Sequence, residues 1–420
     1  MHKTSSKCCA IFLVTDRLSL GMLGAYGNTW VDTPCFDALA FESCVFDQAF
    51  LATPTLRGFY DSVWLGCDLG IADSRQQSLP ELLAVAGIAT LLITDEPAVT
   101  THSAAEAFGQ IMLIESESNS PAAEDARADA ISPEDGGIEN TCLGRFFAIA
   151  SEKIAELEGP TVVWLHTRGM AAAWDAPYAM REVYAAEQDP DPPTWRKVPC
   201  DRVTKQSDPD VLLGVVQAYA GQVALWDTCL GVLTDAMDTN AIFKDALFSV
   251  VSCRGFPLGE HRCIGAGGEE DDDLYGELLH VPLVCRIPGR MAAVRSHSLV
   301  QPVDLYEIIR QWSKDTLFDG AKSPESYLGT DSDGKRVREF ALSQSSHGAW
   351  AIRTPAWFLR SVADPVAHKE LYVKPDDRWE VNDIADCCRE VVDQLKQIYD
   401  EAINNNQVVP LNELLLEGMN

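Results

Sequence analysis

The stretch Leu13-Val-Thr-Asp16-Arg17-Leu-Ser-Leu-Gly21-Met-Leu-Gly24-Ala-Tyr26-Gly27-Asn28 decides how this chain is read. The preceding run Ala10–Thr15 is apolar, the pattern of a strand buried on both faces, and it delivers Asp16 to its carboxyl end. A Gly-rich turn follows. Two adjacent carboxylates at such a strand end would hold a divalent cation through hard oxygen ligands. Here the second position is Arg17, and a carboxylate beside a guanidinium neutralises itself.

Outward from this segment, short apolar runs alternate with amphipathic stretches. Candidate strands are Ala10–Thr15, Thr90–Thr94, Thr161–His166, Ala246–Ser252 and Leu283–Arg286. Helical spacing is predicted over Cys35–Phe41, Ser78–Ala86, Asn140–Leu157, Asp208–Met237 and Pro302–Ser313. The alternation predicts an α/β layered fold with a mostly parallel sheet. In Asp208–Met237, Val215, Tyr219, Gln222, Val223, Trp226, Leu230 and Leu233 recur at roughly helical spacing and form a core face.

After Trp312 the texture changes. Ala351–Pro355, Trp357–Val362 and Glu370–Val373 predict short strands joined by turns, with an amphipathic helix over Val381–Asn404. The expected organisation is an α/β domain over 1–345 and a small α+β subdomain over 346–420 with an antiparallel sheet. Residues 115–139, rich in Ser, Pro, Ala, Asp and Glu, read as a flexible acidic insertion. The run Glu269–Asp273 reads as a solvated acidic loop rather than a calcium loop, because it lacks spaced ligands.

A formal charge of -30 argues against nucleic acid and against anionic membrane surfaces as partners. The 13 cysteines lie mostly in apolar runs, and no pair has zinc-ribbon spacing, so buried thiols in a reducing compartment are expected. Cys8–Val14 is too short for a signal peptide, and no apolar run reaches spanning length. A cytoplasmic protein is the expectation.

Further motifs occur in order along the chain. Thr33-Pro-Cys-Phe-Asp37-Ala-Leu-Ala leads into a helix, and Phe46-Asp-Gln-Ala-Phe50 follows. Then come Leu258-Gly-Glu-His261, Val281-Pro-Leu-Val284 with Pro288-Gly289, Val303-Asp-Leu-Tyr306, Ala351-Ile-Arg-Thr-Pro355, and Glu370-Leu-Tyr372 with Asn382-Asp383. With the opening segment, their order and spacing resemble the sulfatase family of the alkaline phosphatase-like superfamily over almost the whole chain. The resemblance implies an alkaline phosphatase/sulfatase-like sandwich with helices flanking a mostly parallel sheet. It also implies hydrolysis of sulfuric esters by a hydrated aldehyde, made from a Cys or Ser in Cys/Ser-x-Pro-x-Arg and bound to calcium.

The residues at the matching positions depart from that chemistry. Counting without gaps from Phe46 to Gly66 puts Leu56 at the nucleophile position and Tyr60 at the motif's arginine. Leucine has no heteroatom to become a nucleophile. A gapped match would use Thr53 or Thr55 with Arg57, but Pro54 is then misplaced, and Thr53-Pro54-Thr55 is read as an ordinary turn. The family's Ser-Asp-(His/Asn)-Gly segment is matched by Ser252-Cys253-Arg254-Gly255, which replaces a metal ligand by a soft thiol and its neighbour by a cation. Asp95 and Pro97 stand at the lysine and histidine of Gly-(Lys/Arg)-Trp-His, and a second lysine position falls near Asp271. His166 matches the first histidine of His-x-Pro-His-x-Pro, as a proton donor or a structural hydrogen-bonder.

Asp16 is thus the only retained metal-ligand position, and no metal or cofactor is expected; calcium returns only if the chain is an active hydrolase with an atypical site. Arg17 and Arg254 either bridge to Asp16 in place of the cation or point to solvent. The expected function is that of a pseudo-sulfatase with a binding or regulatory role. The alternative is hydrolysis of sulfate or phosphate esters using His166, Cys253 or a threonine. Arg17, Arg57 and Arg254 are candidates for holding a sulfated or phosphorylated ligand, and an active sulfatase relative is the other candidate partner.

Overall fold

The computed structural model describes residues 9–67, 69, 77–115, 130–131, 137–265, 273–287, 293–318, 338–361, 368–405, 411, 415–416 and 418. Its strands, in chain order, are β1 (Ala10–Thr15), β2 (Cys44–Ala49), β3 (Ala89–Thr94), β4 (Gln110–Leu113), β5 (Thr161–Thr167), β6 (Asp201–Arg202) and β7 (Leu247–Ser252). They continue with β8 (Cys263–Ile264), β9 (Leu283–Arg286), β10 (Val294–Val300), β11 (Ala341–Gln344), β12 (Trp350–Arg353), β13 (Trp357–Ser361) and β14 (Lys369–Val373). The main sheet has eight strands in the order β10-β2-β9-β7-β1-β5-β3-β4. All neighbours pair in parallel except β9, which runs antiparallel to both β2 and β7. The expected layered architecture is therefore present, with one reversed strand near its middle.

β1 lies at the centre because it is apolar in both registers. Ile11 and Leu13 enter the core beneath the helices Pro34–Phe41, Cys142–Glu156 and Pro209–Thr239, while Ala10, Phe12 and Val14 enter the core on the opposite face. In the long helix Pro209–Thr239, the predicted face Val215, Tyr219, Val223, Trp226, Leu230 and Leu233 is fully enclosed. Burying one such aromatic or aliphatic side chain stabilises by about 1.5–3 kcal/mol, so this helix fixes the sheet's carboxyl ends firmly.

β11–β14 form a four-stranded antiparallel sheet that packs on the helix Arg389–Asn405 through a third core containing Ile352, Trp357, Leu371 and Leu395. Ser343 Oγ donates to Leu51 O at 2.6 Å and Gln344 N to Ala52 O at 2.9 Å, joining this sheet to the chain leaving β2. The last helix starts later than the predicted Val381. Asp377 accepts from the amides of Val381 and Asn382, and Asp383 from those of Leu371 and Ala385, so these N–H groups are committed to carboxylate turns instead.

Most of the acidic stretch 115–139 and all of 269–272 lie outside the described residues. No disulfide joins any two of the described cysteines. Among the described residues no helix is long and apolar enough to cross a membrane.

Candidate functional site

The pairing of β1 with β7 aligns Thr15 with Ser252, so Asp16 and Cys253–Arg254 leave the sheet side by side. Arg254 Nε donates to Asp16 Oδ1 at 2.8 Å, and Arg254 Nη2 donates to Oδ2, a bidentate fork. The Cys253 thiol adds a contact to Oδ1 at 3.3 Å. Asp16 is 1% exposed, Arg17 5% and Arg254 8%, so neither arginine points to solvent. Burial by itself would raise the Asp16 carboxyl's pKa. The neighbouring Arg254 and Arg17 charges overcome that and hold it far below the usual carboxylate range. Burial and the Asp16 charge together push the Cys253 thiol well up, so it stays protonated.

The turn after β1 is held from above. Arg17 has φ 60°, the left-handed region that a side chain makes costly. Tyr219, from the long helix, fixes it: its hydroxyl donates to Arg17 O and accepts from Ser19 N, both at 2.7 Å. Ser252 Oγ accepts from Leu18 N at 3.1 Å. Tyr219 was not identifiable as a site residue from the sequence, since it lies on the apolar face of the long helix and reads simply as core.

Leu56 opens the helix Leu56–Leu65, whose N-cap Thr55 accepts from Gly58 N at 3.1 Å. Thr55 is thereby engaged in capping. Tyr60, one turn on, places its hydroxyl 2.7 Å from His166 Nδ1, and Trp164 Nε1 approaches the same oxygen at 3.4 Å. The tryptophan donates to the tyrosine oxygen and the tyrosine O–H to Nδ1, which leaves the His166 proton on Nε2. That nitrogen is buried with no hydrogen-bond partner among the described residues. Burial pulls the His166 pKa down to about 4, so the ring is neutral. Trp64 packs 4.1 Å from Tyr60 and 5.5 Å from Trp164, ring centre to ring centre, so aromatic carbon fills the space above the strand ends.

Two predicted positions lie apart from this cluster. Asp95, at the end of β3, accepts from Arg168 N at 2.7 Å and Thr167 Oγ1 at 3.3 Å and tethers the turn after β5; burial lifts its pKa to about 6. Arg57 has an 84% exposed side chain 3.8 Å from Asp61, so it does not join Arg17 and Arg254 in an anion pocket.

An open cleft of about 450 Å³ lies beside the cluster, lined in part by Ser19, Leu20, Leu258 and Glu260. None of Asp16, Arg17, Leu56, Tyr60, His166, Cys253 or Arg254 lines it. A second cavity of about 240 Å³ contains Asp95, Arg145 and Arg168.

The residues at the strand ends do not fit a calcium ion. Calcium takes about six to eight oxygen ligands, and here one carboxylate has both oxygens engaged by a guanidinium, with a thiol and a second guanidinium next to it. Among the described residues no group of three or more His, Cys, Asp or Glu side chains could hold a metal ion.

Comparison with known proteins places the chain. The family profile described as Sulfatase matches residues 9–314. The chain belongs to the sulfatase family. No curated protein sequence matches it. Among solved structures it is similar to the phosphonate monoester hydrolase of Agrobacterium radiobacter, at 16% identity and a TM-score of 0.72, over 96% of each chain. The phosphonate monoester hydrolase of Silicibacter pomeroyi gives 15% identity and a TM-score of 0.68 over 95% of each chain. A protein solved in complex with its substrate D-glucosamine-2-N,6-O-disulfate gives 15% and 0.69, over 95% of this chain and 99% of that one. At these identities the likeness speaks for the fold, and the sulfatase scaffold is shared from end to end.

Proposed function

We propose that this sulfatase-family chain binds a sulfated or phosphorylated ligand, in the cytoplasm, without hydrolysing it. One observation carries the reading: Arg254 occupies both oxygens of Asp16, the carboxylate that would have to meet a cation. Leu56 supports it as well, because the buried residue matched to the family's nucleophile offers no electron pair for attack. The ligand class follows from relatives whose described substrates are phosphonate monoesters and a disulfated sugar, and described cysteines not joined by disulfides suit a reducing compartment.

An active hydrolase with an atypical site would need another nucleophile. Cys253 is fully buried and held protonated, and Thr55 Oγ1 caps a helix. His166 is neutral, enclosed and lined up on a tyrosine.

The test is metal content of the purified protein by mass spectrometry, together with turnover of 4-nitrophenyl sulfate and 4-nitrophenyl phosphate with added calcium or manganese. The expected result is less than one bound ion per many chains, and no turnover above buffer. Metal-dependent turnover that disappears with a chelator would overturn the proposal.

A further inference from the structure

The wall of the cleft beside the strand ends carries four cations and four carboxylates, Asp47, Glu260, Glu277 and Glu380, but the charges are not all paired with one another. The cations are Arg295, Arg353, Lys374 and Arg378. Arg295 is neutralised by Asp47, with Nη2 on Oδ1, and Lys374 Nζ lies 2.9 Å from Glu380 Oε1. Glu277 is held by His261 at 2.6 Å, and Glu260 accepts from Leu258 N at 2.6 Å. Arg353 and Arg378 have no carboxylate within ion-pair distance among the described residues.

Arg353 is the unusual one. It is 4% exposed, at the end of β12. Nη1 donates to the carbonyls of Thr354, Pro355 and Trp357, and Nη2 donates to Gln48 Oε1 at 3.0 Å, itself part of the wall. Nε is buried with no hydrogen-bond partner among the described residues. Carbonyl and amide dipoles orient this guanidinium without cancelling its charge, and the charge of Glu380, already paired with Lys374, offsets its burial only in part. Burial accordingly pulls its pKa down to about 9. Arg378 is exposed at the rim and lies 5.1 Å from the ring of Trp379, which is 57% exposed. Phe50 lies under Arg353 at 5.6 Å and stacks on His280 at 4.5 Å. A volume near 450 Å³ is in the range of small-molecule sites, about 300–1,000 Å³.

We propose that this cleft is an oxyanion-binding site in which Arg353 and Arg378 receive the charged group of a small organic anion while Trp379 covers its apolar or ring portion. The proposal rests on the binding reading above and gives it a location, displaced from the closed strand-end cluster. A planar guanidinium presents paired N–H donors to sulfate, phosphate or carboxylate alike, so the shared chemistry is the oxyanion.

The test uses the full chain and four probes that share one ring: 4-nitrophenyl sulfate, 4-nitrophenyl phosphate, 4-nitrobenzoate and neutral 4-nitrobenzyl alcohol, titrated by calorimetry at low salt. At least one anion should bind and the alcohol should not; whichever anion binds tightest identifies the source class. Arg378→Ala, at an exposed position that leaves folding intact, should weaken binding roughly tenfold, and Arg353→Lys should weaken it at least as much. The paired replacement Asp16→Leu/Arg254→Met at the closed cluster should leave affinity within about twofold. The proposal is overturned if no anion binds, or if binding survives both cleft substitutions and is lost in the paired replacement. Metal-dependent turnover with cleft binding intact would sink only the non-hydrolytic reading, whereas anion binding that ignores both cleft substitutions would sink only this one and leave the binding reading standing.

Discussion

At the scale of single residues, the Asp16–Arg254 pair sets what the strand ends tolerate. Removing one member of a buried ion pair typically costs about 3–5 kcal/mol, because the other charge is left without a partner. Arg254→Ala should therefore lower the melting temperature by many degrees, while Asp16→Leu/Arg254→Met should recover most of the loss; a double-mutant cycle from urea titrations checks both. If Arg254→Ala melted like the parent, the bridging role would be wrong. His166 gives a separate acid signature. Its pKa falls on folding from 6.5 to about 4, so its contribution is fully present above pH 6.5 and is lost as pH drops through 4. The full effect is on the order of 3 kcal/mol. His166→Gln should flatten the loss of stability between pH 6.5 and pH 4 in thermal melts. A residue of acid sensitivity will persist from His280, also buried and lowered to about 3.

At the scale of elements, the helix Leu56–Leu65 depends on a tight start. A Cβ on Gly58 would sit 2.0 Å from Thr53 Cγ2 and 2.9 Å from Thr55 Oγ1. Alanine for glycine in a helix ordinarily stabilises by about 0.5–1 kcal/mol. Here Gly58→Ala should instead destabilise by roughly 1–3 kcal/mol through overpacking, and pairing it with Thr53→Ser should relieve part of that. Chemical denaturation of the three variants decides the sign. The same scale shows what could be read in advance. β1, β5 and β7 were legible because strands buried on both faces are continuous apolar runs. β4 was not, being a short edge strand with Ile111 and Leu113 exposed, and β10 was not, because Arg295, Ser296, His297 and Ser298 break its apolar pattern. The reversed direction of β9 has no local signal. At the site, Asp16, Cys253 and Arg254 were legible because each follows a buried strand at a position that matches a sulfatase motif. The cleft was not, since Gln48, Arg353 and Arg378 meet only through the docking of one sheet on another.

At the scale of the whole molecule, the formal charge of -30 means that folding gathers mutually repelling carboxylates. Salt screens such repulsion, with a Debye length that shrinks to about 10 Å at 0.1 M. Raising sodium chloride from about 0.02 M to about 0.3 M should raise the melting temperature, and a flat response in differential scanning calorimetry would show that the charge is already balanced locally. The cleft responds in the opposite sense, because the added ions compete with an organic anion for Arg378, so affinity should fall over the same range in which stability rises.

The guanidinium fork on Asp16 finally bears on how such a scaffold could change over generations. Swapping Arg254 alone for a neutral side chain strands a carboxylate in the interior, and swapping Asp16 alone strands a cation. Each single step away from the present arrangement is a loss of foldedness before it can be a gain of chemistry. The bridge therefore works as a ratchet, and any lineage passing between this arrangement and a metal-holding one must cross several codons together.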